Sequence, residues 1–195
     1  MFGGSAGFPL QHEPILEIWL HDRFRKAAWL VFIGCWIWAL LPQTSAHTRR
    51  KDRVLLMLLV LLNLVLINGL KHFSSTSCPW SVQNWGEIAD YVSHWRWGLA
   101  DGGPGRCFPG GHASAAWAFA PLLLAAWWPL GDKPRHPKAL IISGFFLLGV
   151  LLTAVTQTLR GAHYPSHTLW TAVICSGVSL LAWTWWQDRT TRMSR

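Results

Sequence analysis

The chain is poor in charge: 13% of its 195 residues are Asp, Glu, Lys or Arg, and only 9 are acidic. A soluble domain carries about 25% charged residues, so a water-facing surface of ordinary composition is excluded. Paired metal-ligand motifs are lacking too. No Cys-x-x-Cys occurs among the 4 cysteines, and the one His-x-x-x-His, at His163 and His167, has no matching third ligand, which argues against a zinc centre. No early apolar core is followed by a small-residue cleavage site, so the first apolar run, rather than a cleaved signal peptide, is expected to direct insertion. A length of 195 leaves no room for a multidomain enzyme.

What is present points to a membrane. Hydrophobic residues make up 51% of the chain, mean hydropathy is +0.24, and 15 residues are Trp. Five apolar runs, 27–41, 54–70, 113–130, 139–159 and 168–186, are candidates to span a bilayer, since a helix of ~20 apolar residues crosses ~30 Å of hydrocarbon. The first is short, and Trp29, Trp36 and Trp38 extend it into the interfaces, where indole rings sit well. Ahead of it, residues 8–26 place Ile15, Leu16, Trp19 and Leu20 at helical spacing opposite Glu13, Glu17 and Arg23, the pattern of an interfacial amphipathic helix. The expected fold is an all-α membrane bundle, a single domain over 1–195 with an interfacial segment over 1–26.

The net charge of +8 and pI near 10.0 would suit nucleic acid only if the 17 Lys and Arg formed one face. They lie instead between apolar runs, so no nucleic-acid partner is expected. Arg49, Arg50, Lys51 and Arg53, then Lys133, Arg135 and Lys138, then Arg189, Arg192 and Arg195 mark cytoplasmic regions by the positive-inside rule. Loops 71–111 and 160–167 then face the other side together with the amino terminus. A bacterial inner membrane, with that face in the periplasm, is the expected setting.

Most of the unusual chemistry falls on this second face. Taken singly, Lys71 is an ordinary snorkelling lysine, His112 an interfacial histidine, and Gly110 with Gly111 a turn into a helix. Together they describe an anion site. Glycines let the backbone of Phe108-Pro109-Gly110-Gly111-His112 wrap a ligand while first-turn N–H groups point at it. Lys71 supplies a point charge, and Arg160 a planar fork suited to phosphate oxygens. His163 follows Arg160 by three residues and precedes His167 by four, with Pro165 placing the next helix start near Ser166. Two histidines facing one phosphate make an acid and a nucleophile.

At these residues the sequence resembles the type 2 phosphatidic acid phosphatase superfamily, membrane phosphatases that act on lipid phosphates without metal. The first family motif, Lys, six residues, then Arg-Pro, is matched by Lys71 and Cys78-Pro79. The second, Pro-Ser-Gly-His, is matched by Pro109-Gly110-Gly111-His112. The third, Ser-Arg, five residues, His, three residues, Asp, is matched around His163, with Thr156-Gln157 in the Ser-Arg place and His167 in the Asp place. Motifs and spans together cover about 55–186. The resemblance implies that His163 attacks phosphorus to form a phosphohistidine and that His112 protonates the leaving oxygen, then serves as base when water hydrolyses the intermediate. Lys71 and the N–H groups of Gly110 and Gly111 would bind the phosphate oxygens, with no metal or other cofactor and a phosphorylated lipid as the partner.

The departures set further expectations. Cys78 and Gln157 stand where the family has arginines, and Arg160, with Arg106 as the second candidate, is expected to restore the guanidinium. His167 is expected to accept a hydrogen bond from His163 and orient it, while Asp22, Glu87 or Asp101 supplies the missing carboxylate. Cys78 and Cys107 share the outer loop, which predicts a disulfide closing roughly 30 residues and worth ~3–4 kcal/mol in the chain-entropy model; two free thiols are the alternative. Three functions stay open: a lipid-phosphate phosphatase or phosphotransferase, a non-catalytic binder of phosphorylated lipid, and a metal or haem protein using His112, His163 and His167.

Overall fold

The computed structural model describes residues 7–42, 49–85, 88–96, 98–129 and 136–193. It is 69% helical, with no strand among the described residues, which makes it an all-α helical membrane bundle. A π-helical stretch, Ile15–Arg23, runs directly into α1, Phe24–Leu40. α2 covers Arg50–Phe73, α3 Ser114–Trp117, α4 Ala120–Trp127, α5 Ala139–Leu159 and α6 Pro165–Met193. Among the described residues three helices are long and apolar enough to cross a membrane: α2, α5, and α6 over Pro165–Thr190. The runs at 27–41 and 113–130 are also helical but shorter, 17 residues in α1 and an interrupted Ser114–Trp127.

The interruption has a local cause. Pro121 has no N–H to donate to the carbonyl of Trp117, and the chain turns through Ala118 and Phe119 before α4 begins. The Ala118 carbonyl freed there accepts from Asn63 Nδ2 of α2 at 3.3 Å, and the same amide reaches Ser179 Oγ of α6 at 3.0 Å. One buried asparagine thus ties three helices where no water would satisfy the backbone. Around it, Met57 and Val60 pack on Ala39 and Ala118, and Leu56 packs on Ala125 and Trp183. α5 carries Leu140, Phe145, Leu148 and Leu151 exposed on its outer side, as a helix facing lipid must.

Trp186 Nε1 lies 3.4 Å from Asp52 Oδ1, so the start of α2 and the end of α6 share one end of the bundle. Arg49, Arg50, Arg53 and Arg189 belong to that end, while Lys133, Arg135 and Arg195 lie outside the described residues. At the opposite end stand the last turn of α2, the loop into α3 and the α5–α6 turn. The amino-terminal helix docks there. Buried Arg160 donates from Nη2 to Glu17 Oε1 at 3.0 Å and from Nε to Gln11 O at 2.9 Å. Gly161 is left-handed at φ +72° and packs so closely on the Phe8 ring that a Cβ there would lie 2.4 Å from it. Glu17 is therefore turned toward the protein, whereas Arg23, expected opposite Trp19, is exposed and lies over the Trp19 ring at 3.8 Å.

The loop after α2 is stapled by Asp101. Its buried carboxylate accepts from Ser77 N, Ser77 Oγ and Gly103 N. Arg106 N donates to Ser74 O, and Cys107 N to Thr76 O at 2.9 Å, which lays 105–107 along 74–77. Cys78 and Cys107, with Cα atoms 5.1 Å apart, are joined by a disulfide.

Candidate active site

Three chain segments meet at this end. Lys71 comes from the last turn of α2, and Gly111 and His112 from the turn into α3. His163 sits on the reversal between α5 and α6, where left-handed Gly161 ends α5 and both Ala162 N and His163 N return to Gln157 O, at 2.9 and 3.2 Å. α6 then starts at Pro165, whose missing N–H costs nothing in a first helical turn, and carries His167 into that turn.

The glycine turn is built by contact. A Cβ on Gly111 would fall 3.1 Å from Lys71 Nζ, so the ammonium rests against the turn. A Cβ on Gly110 would fall 3.3 Å from the His167 carbonyl carbon and oxygen. Gly110 N donates to His167 O at 3.1 Å, and Thr171 Oγ1 donates to Gly110 O at 3.0 Å. This corrects the expected role of Gly110: its N–H clamps the turn to α6 and is not available to a phosphate oxygen. The Gly111, His112 and Ala113 N–H groups make no such bond among the described residues.

His163 is 6% exposed, and its Nδ1 lies 3.2 Å from Cys107 Sγ. A disulfide sulfur has no hydrogen to give, so in this contact it can only accept from Nδ1. Burial first, then the charges of Lys71, His167 and His112, push the His163 pKa well below 6.5. The ring is therefore neutral at ordinary pH, with one nucleophilic nitrogen. His112 is pushed down to about 3, by burial first and then by His21, Arg25 and Lys71.

His167 does not hold His163. The two ring centres are 6.1 Å apart, too far for a ring-nitrogen hydrogen bond, and His167 Nδ1 instead bonds Cys107 O at 3.0 Å. Cys107 thus takes the orienting place expected of His167, with its sulfur against one histidine and its carbonyl against the other. Neither His163 nor Arg160 lines the cavity beside Lys71 and His112. Two Arg160 nitrogens serve the amino-terminal segment, and Nη1 is buried without a partner among the described residues. Arg106 is exposed on the loop and lines no wall of that cavity. Of the candidate acids, Asp101 is consumed by the loop, Glu87 lies outside the described residues, and Asp22 Oδ1 is 3.1 Å from His21 Nδ1.

A cavity of about 250 Å³ opens between α1, α2 and α3. Arg25, Lys71, Gly111, His112 and Ser114 line its polar side, and Trp29, Phe32, Leu64 and Phe119 its apolar side. Two groups were missed from sequence. His21 stacks on His112 with ring centres 3.8 Å apart and planes at 16°, and Arg25 shares the cavity wall. The signal was available: His21 and Arg25 are four residues apart, one helical face, directly before an apolar run on the motif-bearing side.

A family model described as the PAP2 superfamily matches residues 53–191. No curated protein and no solved structure matches the chain.

Proposed function

The chain belongs to the PAP2 superfamily, and on that premise we propose that it is a lipid-phosphate phosphatase of the membrane, cleaving a phosphomonoester or diphosphate through a phosphohistidine on His163. The observation that carries this reading is that the fold brings the last turn of α2 with Lys71, the glycine turn with His112 and the reversal with His163 to one end of the bundle, close enough for Lys71 and His112 to depress the His163 pKa. With Nδ1 of the buried, neutral His163 against the Cys107 sulfur, Nε2 is the nitrogen assigned as nucleophile.

The reaction follows from these groups. Phosphate oxygens settle against the Lys71 ammonium and the Gly111 N–H, which stabilise the charge spread over them in the transition state. His163 Nε2 forms the P–N bond as the P–O bond to the lipid breaks. His112 gives its proton to the departing oxygen, then takes one from water as water attacks phosphorus and frees His163. In the free protein His112 is neutral, so its proton arrives with the phosphate dianion, whose charge opposes the burial penalty. The apolar wall of Trp29, Phe32, Leu64 and Phe119 suits the chain of an amphiphilic substrate whose phosphate sits at the polar side. The basic opposite end supports a site on the non-cytoplasmic face, which we place in the periplasm of a bacterial inner membrane.

Phosphate release from a panel of lipid monophosphates and diphosphates in detergent micelles tests the proposal. The His163→Ala protein should release none and trap no acid-labile phosphoenzyme. Normal release by His163→Ala, or wild-type release that EDTA abolishes and added metal restores, would overturn it.

A further inference from the structure

The arginines that the family motif places before Pro79 and after Thr156 are here Cys78, held in the disulfide, and Gln157, whose buried Nε2 has no partner among the described residues. Arg160, the nearest replacement in sequence, is bound to Glu17 and Gln11. The guanidinium that does line the cavity with Lys71 and His112 is Arg25. It comes from a helix outside the matched span of 53–191.

We infer that the amino-terminal helix completes the phosphate site: Arg25 binds a non-bridging phosphate oxygen, and His21, held by Asp22, is a positioning residue for the His112 ring. This rests on the phosphatase reading and names the groups that read its substrate.

Four observations carry it. Arg25 Nη2 is 3.6 Å from Asp22 Oδ1, and both side chains are about half exposed, 54% and 45%, so the pair is loose and its guanidinium can turn to an anion in the cavity. Residues 25, 29 and 32 recur at helical spacing, so the face that offers Arg25 also offers Trp29 and Phe32 to the same cavity. One helix thereby presents a cation to the phosphate and rings to the adjoining apolar chain, which selects amphiphilic phosphates over free ones. The His21 ring covers His112 face to face, while Asp22 Oδ1 holds His21 Nδ1. The Glu17–Arg160 bond and the Phe8–Gly161 contact fasten the helix to the α5–α6 turn that carries His163, so its register against the site is set.

The test uses the full chain in detergent, with inorganic phosphate as the binding probe and dioleoyl phosphatidic acid in mixed micelles as substrate. Arg25→Gln should weaken phosphate binding and raise KM by roughly 10- to 100-fold, the loss of one charge-assisted partner, with a much smaller fall in kcat. Arg25→Lys should recover part of the affinity. His21→Phe keeps a stacked ring but loses the hold of Asp22, so kcat should fall while phosphate affinity stays. Wild-type affinity and KM in Arg25→Gln, in protein whose activity His163→Ala abolishes, would overturn the inference and leave the phosphatase reading standing. A wild-type protein that neither binds phosphate nor releases it, and does not differ from Lys71→Gln, would defeat the reading and the inference with it.

Discussion

Binding of a dianion should draw a proton into this site. His112 sits at about 3 in the free protein, so protonating it at neutral pH costs roughly 5 kcal/mol, at about 1.4 kcal/mol per pH unit. A dianion about 4 Å away contributes ~4 kcal/mol per charge at an effective dielectric of ~20, hence ~8 kcal/mol for two charges, which exceeds that cost. The complex therefore holds His112 as the cation, and its pKa there lies above that of the free protein. Between the two values binding takes up one proton, so affinity should rise as pH falls, by up to about tenfold per pH unit. Sulfate is the suitable probe, because it stays dianionic across that range and contributes no titration of its own. Calorimetry with sulfate, in buffers of different ionisation enthalpy, reads the proton count directly. Sulfate binding with no proton uptake and no dependence on pH would refute the reasoning, since His112 would then carry no proton in the complex and could not act as the leaving-group acid.

Gly111→Ala places a Cβ 3.1 Å from Lys71 Nζ; the flexible lysine can move aside, so thermal stability should change little while KM for the lipid phosphate rises several-fold, measured by melting and kinetics on the same sample. The pKa values of His112 and His163 are held below the ordinary 6.5, so the unfolded chain binds more protons than the folded one beneath that value. Stability should accordingly fall as pH drops from about 6.5 toward about 3, followed as Tm against pH in detergent, and should rise again when His112 is replaced by Gln.

Hydropathy alone located the helices, because a bilayer tolerates only a chain whose backbone is satisfied internally, and α2, α5 and the spanning part of α6 fall on the apolar runs that begin at 54, 139 and 168. The break in the third run was also legible in principle, since Pro121 marks it. Motif spacing gave the family, because Lys71, His112 and His163 must keep their order and distance for the chain to bring them to one end. Partner choice was not legible. Arg160 looked free to bind phosphate, yet Glu17, 143 residues earlier, holds it, and no local pattern announces a partner so distant. Gly110 looked like an anion ligand until packing of the turn on α6 took its N–H. His167 stands in the place of an orienting acid, but the loop that Asp101 staples brings the Cys107 carbonyl to it first. The first segment is helical as its spacing suggested, but Arg23, expected opposite Trp19, lies over its ring. Only the tertiary structure decided that Glu17 turns inward, because whether a polar side chain meets water or an arginine depends on what the rest of the chain has placed beside it.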